Sequence, residues 1–229
     1  MKSPYGSVEV PQSTSRVLRW LFRHFNVSRN AVVSTLMPTG EALLELGSGE
    51  GHFCAKHYHA FKRVVGLDLS SDRVQRAVER YRDTPCTFLQ QDLNKPLPFA
   101  DQSFDVVVSI ATLDWVYDLA GCLKEVHRVL KPTGTVILQV NNLGYFVRRI
   151  KLLFGVYPNA SVFVKSAWPM IGWDASICHY FTKKELSEYL AQLGFTVKKV
   201  TGSGLLYKLR NWWPALLCGD LILICQKKN

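Results

Sequence analysis

The 229-residue chain lacks any stretch close to the ~20 consecutive apolar residues that a membrane-crossing helix needs. Its nearest candidate, residues 215–225, is short and interrupted by Gly219 and Asp220. The expectation is a protein that can touch a membrane without crossing it. Six cysteines are present but no C-x-x-C pair, and residues 1–10 show no secretory signal, so the sequence points to a reduced, intracellular protein. Repeats and low-complexity tracts are absent. With 48% apolar and 20% charged residues, disorder, collagen and coiled coil are excluded. Acidic residues are scarce, 18 against 28 Lys plus Arg, and the net charge of +10 favours an anionic partner without naming one.

The length suits one α/β domain and would leave two cramped. Residues 1–14 hold Pro4, Gly6, Pro11 and a Ser/Thr cluster and read as a mobile arm. Residues 15–229 read as a single domain with a lid-like insertion at 141–182. A helix is expected at 16–25, with Val17, Leu18, Leu21, Phe22 and Phe25 on one side and Arg16, Arg19 and Arg23 on the other. From residue 41 short β-type runs alternate with helical patterns. Strands are expected at 42–46, 63–67, 86–90, 104–109 and 135–140, and helices at 51–60, 71–81 (with Ser71 as N-cap) and 119–130. A helix at 183–193, ended by Gly194, precedes two strands at 195–200 and 221–226 joined by a loop. Such alternation implies a doubly wound, mostly parallel sheet that binds ligands beyond the carboxyl ends of its strands.

The densest motif is Glu45-Leu46-Gly47-Ser48-Gly49-Glu50-Gly51, where the first strand turns into a helix. Glycines there let the backbone approach a ligand with no Cβ in the way. Asp68 ends the second predicted strand, where a carboxylate can accept from both hydroxyls of a ribose. Asp92 follows the third, placed to accept from an exocyclic adenine amine. One Gly-rich turn is weak evidence, but three such features at consecutive strand ends are stronger. A nicotinamide-dependent dehydrogenase would share the acid after its second strand, yet it uses G-x-G-x-x-G where this chain has G-x-G-x-G.

These residues resemble the class I S-adenosylmethionine-dependent methyltransferases over about residues 41–227. The glycine motif is similar to the family's cofactor loop, Asp68 to its ribose-binding acid, and Asp92 with Pro96-x-Pro98-Phe99 to its adenine-binding stretch. Glu125-x-x-Arg128-Val129-Leu130-Lys131-Pro132-x-Gly134 is also typical. The resemblance implies a Rossmann-like sheet of seven strands with the last antiparallel, and S-adenosylmethionine as cofactor. It implies a cofactor set of Glu45, Gly47, Ser48, Gly49, Gly51, Asp68, Leu69, Asp92, Leu93, Ser109 and Ile110. Residues 139–195, with Asn141-Asn142-x-x-Tyr145-x-x-Arg148-Arg149, resemble a subgroup that includes methionine-biosynthesis W-like and glycan-cluster methyltransferases. That subgroup continues with an acid, a His and an aromatic-Thr pair, here Asp174, His179 and Phe181-Thr182.

Because a sulfonium already activates its methyl group, the protein must chiefly align the nucleophile and exclude water. A hydroxyl acceptor benefits from a general base. His179 is the candidate base, Asp174 its orienter, and Asp114, just past the fourth strand, a second candidate. Against a catalytic role, His179 would simply pack near a helix start capped by Thr182 and Glu185. His52, Cys54, His57 and His59 share one short helix that points them in different directions, so no metal is expected.

Twelve of the cations lie in three acid-free segments, 12–30, 143–173 and 196–213, and the remainder of the chain holds 16 basic and 18 acidic residues. Five of the six tryptophans share those segments. Leu143, Phe146, Val147, Ile150 and Phe154 form a helical apolar stripe, with Arg148, Arg149 and Lys151 off it. This mixture suits a small or lipid-linked anionic acceptor or an anionic membrane surface, and nucleic acid less well. The alternatives to an enzyme acting on such an acceptor, probed by the same residues, are a peripheral scaffold with a methyltransferase fold and an RNA methyltransferase. The stripe could equally pack on the sheet.

Overall fold

A computed structural model describes residues 25–158 and 178–228. The core is a seven-stranded sheet in the order β4-β3-β2-β5-β6-β9-β7. Its strands are β2 (Ala42–Leu46), β3 (Arg63–Asp68), β4 (Cys86–Gln90), β5 (Phe104–Ile110), β6 (Leu130–Asn141), β7 (Phe195–Thr201) and β9 (Asp220–Lys227). β9 runs antiparallel to both β6 and β7, and the other pairings are parallel. This is the doubly wound sheet with an antiparallel last strand that the alternation implied. β2 and β5 are buried nearly throughout, as is β6 from Gly134 to Val140, because helices cover both faces there.

One face carries Leu44, Leu46, Val107 and Leu138 against α4 (Leu119–Val129) and α6 (Lys183–Gln192). The other carries Leu43, Val64, Val106 and Ile137 against α1 (Arg29–Leu36), α2 (His52–His57) and α3 (Ser71–Arg80). Chain order reverses between β2 and β5, which opens a crevice at their carboxyl ends.

The cap of α3 differs from expectation. Ser70, not Ser71, has extended backbone, and its Oγ accepts from Arg73 N at 3.4 Å. At α6 Thr182 caps as expected, its Oγ1 accepting from Glu185 N, and Glu185 Oε2 accepts from the Thr182 hydroxyl instead of its backbone amide. Arg128 explains the Glu125-x-x-Arg128 pattern structurally: it donates to Glu125, Asp101 and the carbonyls of Leu97 and Phe99, anchoring the stretch after Asp92 to α4.

Periodicity missed a small second sheet, β1 (Asn26–Val27) paired with β8 (Gly204–Leu205), and α1 itself. The connection between β7 and β9 is not a plain loop but holds two short helices, α7 (Tyr207–Arg210) and α8 (Pro214–Leu217). After β6 comes α5 (Phe146–Leu153), which is inside out. Phe146, Ile150 and Phe154 of the expected stripe face outward and Leu143 and Val147 are half-buried, whereas Arg148 is buried. Arg148 Nη1 donates to the carbonyls of Asn142 and Gly219, which also accept from Tyr145 N and Asn142 N. The expectation that Arg148 belongs to an exposed basic face is therefore corrected. The mobile arm and most of the 16–25 helix lie outside the described residues.

Candidate cofactor and acceptor site

At the crevice the chain turns through Gly47, Gly49 and Gly51, all with positive φ. A Cβ on Gly47 would fall 2.1 Å from Thr112 Oγ1, so this corner of the loop is closed by the segment after β5. A Cβ on Gly49 would meet nothing within 4 Å among the described residues, so the loop presents bare backbone to open space there. Ser48 N donates to Leu67 O at 2.7 Å, which ties the turn to the end of β3.

Asp68 is nearly buried at that junction. Its Oδ2 accepts from Gly49 N at 2.8 Å and its Oδ1 from Ser70 N at 2.9 Å. Each carboxylate oxygen keeps capacity for a further donor. Leu69, beside it, is exposed, offering an apolar surface next to the acid. Asp92 Oδ1 accepts from Asn94 N and Nδ2, and these bonds hold its carboxyl below the usual range. Leu93 is buried under the same turn. Ser109 and Ile110 end β5, opposite Leu46 and Gln139 of the neighbouring strands. Ser109 Oγ is buried without a hydrogen-bond partner among the described residues.

Two members of the expected set act from below. Glu45 points at α2, where Cys54 Sγ donates to its Oε2 at 3.0 Å, and burial pushes its carboxyl up to about 8. Ser48 Oγ fills the space over Gly66, within 2.7 Å of where a Cβ there would be. Two residues missed by sequence reasoning are Thr112, which closes on Gly47, and Ala111, a non-glycine residue at φ 53°. A strained backbone just past a strand end is a recognised mark of a functional turn, but no sequence pattern announces it.

The expected catalytic residues are partly assembled. Asp114 is fully buried, and its carboxylate accepts from Asn141 N and Nδ2. Burial raises it to about 6 against the opposing effect of those bonds. His179 docks on the same turn: the amides of Cys178 and His179 both donate to Asp114 O. His179 Nε2 lies 2.9 Å from Val116 O. A carbonyl can only accept, so Nε2 carries the proton and Nδ1 is left as the acceptor. The ring lines an open groove of about 670 Å³ with Tyr117, Asp118, Phe181, Glu185 and Tyr189. None of the glycine-loop residues, Asp68 or Asp92 lines it. Asp174 lies outside the described residues. On α2, His52 meets Tyr81 OH and His57 meets Ser34 Oγ, so the histidines there have separate partners.

A family profile described as a methyltransferase domain matches residues 44–138, the segment that builds the crevice. The malonyl-[acyl-carrier protein] O-methyltransferase of Yersinia pestis is 34% identical over 100 residues, covering 43% of this chain and 36% of that protein. The mitochondrial arginine-hydroxylase NDUFAF5 of Danio rerio is 33% identical over 96 residues, 41% of this chain and 29% of its own. The demethylmenaquinone methyltransferase of Chlamydia caviae is 30% identical over 133 residues, 55% and 57% respectively. The chain thus spans about a third to a little over half the length of these curated relatives. A solved S-adenosylmethionine-dependent methyltransferase from Mesorhizobium loti shares the fold, with a TM-score of 0.65 and 23% identity over 86% of this chain and 96% of that one. The bare Gly49 backbone, the receptive Asp68 oxygens and the unpartnered Ser109 hydroxyl fit a nucleoside with a charged tail. Residues 44–138 thus match a methyltransferase domain, and the chain shares the fold of solved S-adenosylmethionine-dependent methyltransferases.

Proposed function

We propose that this protein transfers a methyl group from S-adenosylmethionine to an oxygen of a small or lipid-linked acceptor. The observation that carries the reading is the joined corner at the topological switch point, where Gly49 N and Asp68 Oδ2 meet at 2.8 Å beside open space. When bound, the cofactor supplies an already activated methyl on its sulfonium. Asp68 accepts from the ribose hydroxyls, Leu69 and Leu93 border the adenine, and Asp92 accepts from its amine. The Gly47–Gly51 backbone holds the charged tail.

On the acceptor side, His179 Nδ1 is the general base. The Nε2–H bond to Val116 O fixes its tautomer. Oxygen as the methylated atom draws support from the name of the Yersinia relative, an O-methyltransferase. A lipid-linked acceptor draws support from the exposed apolar and cationic surfaces beside the crevice. The subgroup that includes methionine-biosynthesis W-like enzymes is supported by Asn142, Tyr145 and Arg148, which form one connected cluster. An anionic acceptor also fits the +10 charge. A cytoplasmic location follows from the sequence reading, and no helix among the described residues is long and apolar enough to cross a membrane.

The hydroxylase name of the Danio relative favours a second reading, in which the fold serves another role without methyl transfer. Labelled S-adenosylmethionine incubated with protein and a cell extract, then fractionated into lipid, small-molecule and polymer pools, separates the two. Label in the lipid or small-molecule pool supports the proposal, and label in the polymer pool redirects it to RNA or protein. Tight cofactor binding with no transferred label in any pool rejects methyl transfer in favour of the second reading.

A further inference from the structure

The inverted helix α5 and the α7–α8 connection form an exposed apolar surface that the sheet does not use. On α5 and just after it, Phe146, Ile150, Leu153 and Phe154 project outward, Leu153 at 79% and Phe154 at 75% exposure. On the connection Leu209 and Trp212 do the same, Trp212 at 83%. Several large apolar side chains exposed together are unusual for a monomer and mark an interaction surface.

A set of buried polar contacts clasps the two parts together. Asn142 Nδ2 donates to the carbonyls of Ala215 and Cys218 at 3.0 and 2.8 Å, and its Oδ1 accepts from Gly144 N. Arg148 reaches from α5 to Gly219 O, and Arg210 lies 5.2 Å over the Tyr145 ring while donating to Leu217 O. The cations that point inward therefore fix backbone, and they do so in the orientation that turns the apolar stripe out.

Charge decides among occupants. The sequence has no Asp or Glu between Glu125 and Asp174, and none between Glu188 and Asp220. Neither α5 nor the 206–213 segment therefore contributes an acid, whereas Arg149 and Lys208 are exposed on them and Lys151 is half-exposed. Aromatic and aliphatic side chains with cations at their rim and no acids match the interfacial region of a bilayer that contains anionic lipid. A protein partner or a second copy of this chain would not require acids to be excluded over such long stretches.

We infer that α5 and the 206–213 segment form a single insertion face that docks the protein on an anionic bilayer. β6 and β7 both point their carboxyl ends toward this face, because β7 runs parallel to β6 across β9. Docking then turns the cofactor end of the sheet toward the lipid. The inference stands apart from the methyl-transfer reading, since it needs neither cofactor nor turnover.

Cosedimentation of the full chain with phosphatidylcholine vesicles, with and without phosphatidylglycerol, tests it. Binding is expected with phosphatidylglycerol, weakened by salt and by its omission. A Leu153→Asp, Phe154→Asp, Trp212→Asp variant should lose at least about tenfold in partitioning, because carboxylates resist entry into the interface. These side chains are exposed, so its melting temperature should stay close to that of the parent. Val78→Asp, at an exposed apolar position on α3, should bind as the parent does. Failure to bind the anionic vesicles overturns the inference, as does binding that the triple variant retains or that neutral vesicles support equally. So does a dimer that the triple variant dissociates in the absence of vesicle binding. Each of these results leaves the methyl-transfer reading intact.

Discussion

The amide of Gly49 and the carboxylate of Asp68 meet at 2.8 Å, joining the loop after β2 to the end of β3. One side chain therefore shapes the loop and also presents oxygens to whatever lies against it. Replacing Asp68 by Ala should weaken binding of S-adenosylhomocysteine, the demethylated cofactor, at least about tenfold, or about 1.4 kcal/mol. Calorimetry reads this directly. Asp68→Asn keeps an acceptor for Gly49 N and should fold as well as the parent while still binding more weakly. Equal affinity in both variants would remove Asp68 from the ribose position.

The glycines of the loop make a sharper test, because two of them differ only in what surrounds them. Gly47→Ala meets Thr112 Oγ1 at 2.1 Å and adopts φ +72°, so it should destabilise the fold by about 2 kcal/mol or more. Gly49→Ala carries only the strain of its positive φ, about 1–2 kcal/mol, with open space around the new methyl. It should fold but lose cofactor affinity, because the methyl enters the cradle. Melting curves and calorimetry on the two variants should therefore rank them in opposite orders.

The strands of the main sheet and the glycine and acid corners at their ends were legible in the sequence because each rests on local chemistry. Apolar runs mark buried strands, and Gly47, Asp68 and Asp92 fall at their ends. What was not legible depends on distance through space. Thr112 matters only because it closes on Gly47, and nothing in its neighbourhood in the sequence says so. Two-residue strands such as β1 and β8 are too short to show a period. For α5 the stripe was visible but its direction was not, because periodicity defines a face without saying which way it points. Hydrogen bonds from Arg148 to the carbonyls of Asn142 and Gly219, both distant from any periodic signal, accompany that direction.

Asn142 should prove a structural residue. Its amide serves several carbonyls of the 214–218 turn, and Asn142→Ala removes the donor from the buried Cys218 O and the half-buried Ala215 O. The cost should be about 2–4 kcal/mol. Hydrogen exchange should show faster opening across residues 205–219 while the strands β2 to β5 keep their protection. Uniform loss of protection across the sheet would contradict a local clasp.

His179 separates catalysis from packing. If Nδ1 is the base, His179→Ala should lower kcat by about a hundredfold and leave cofactor affinity unchanged. His179→Gln keeps a donor for Val116 O and so preserves the docking of the segment, yet it cannot take the proton. The two variants should therefore be equally slow despite different melting temperatures. Recovery of activity in His179→Gln would assign the residue to packing, and the groove beside it would then need another base.

Glu45 gives a pH dependence of stability with a defined sign. Burial raises its folded-state value to about 8, well above the value near 4.5 of an exposed glutamate. The folded protein thus holds a proton that the unfolded chain releases over that interval. Its contribution to stability is complete below about pH 4.5 and declines as pH rises toward 8, by at most about 1.4 kcal/mol per pH unit. Glu45→Gln carries no such proton and should show a flatter stability profile between pH 5 and pH 8 in denaturant titrations. The gap between the two proteins should widen with rising pH in favour of the variant, and a constant gap would mean that the carboxyl is ionised in the fold.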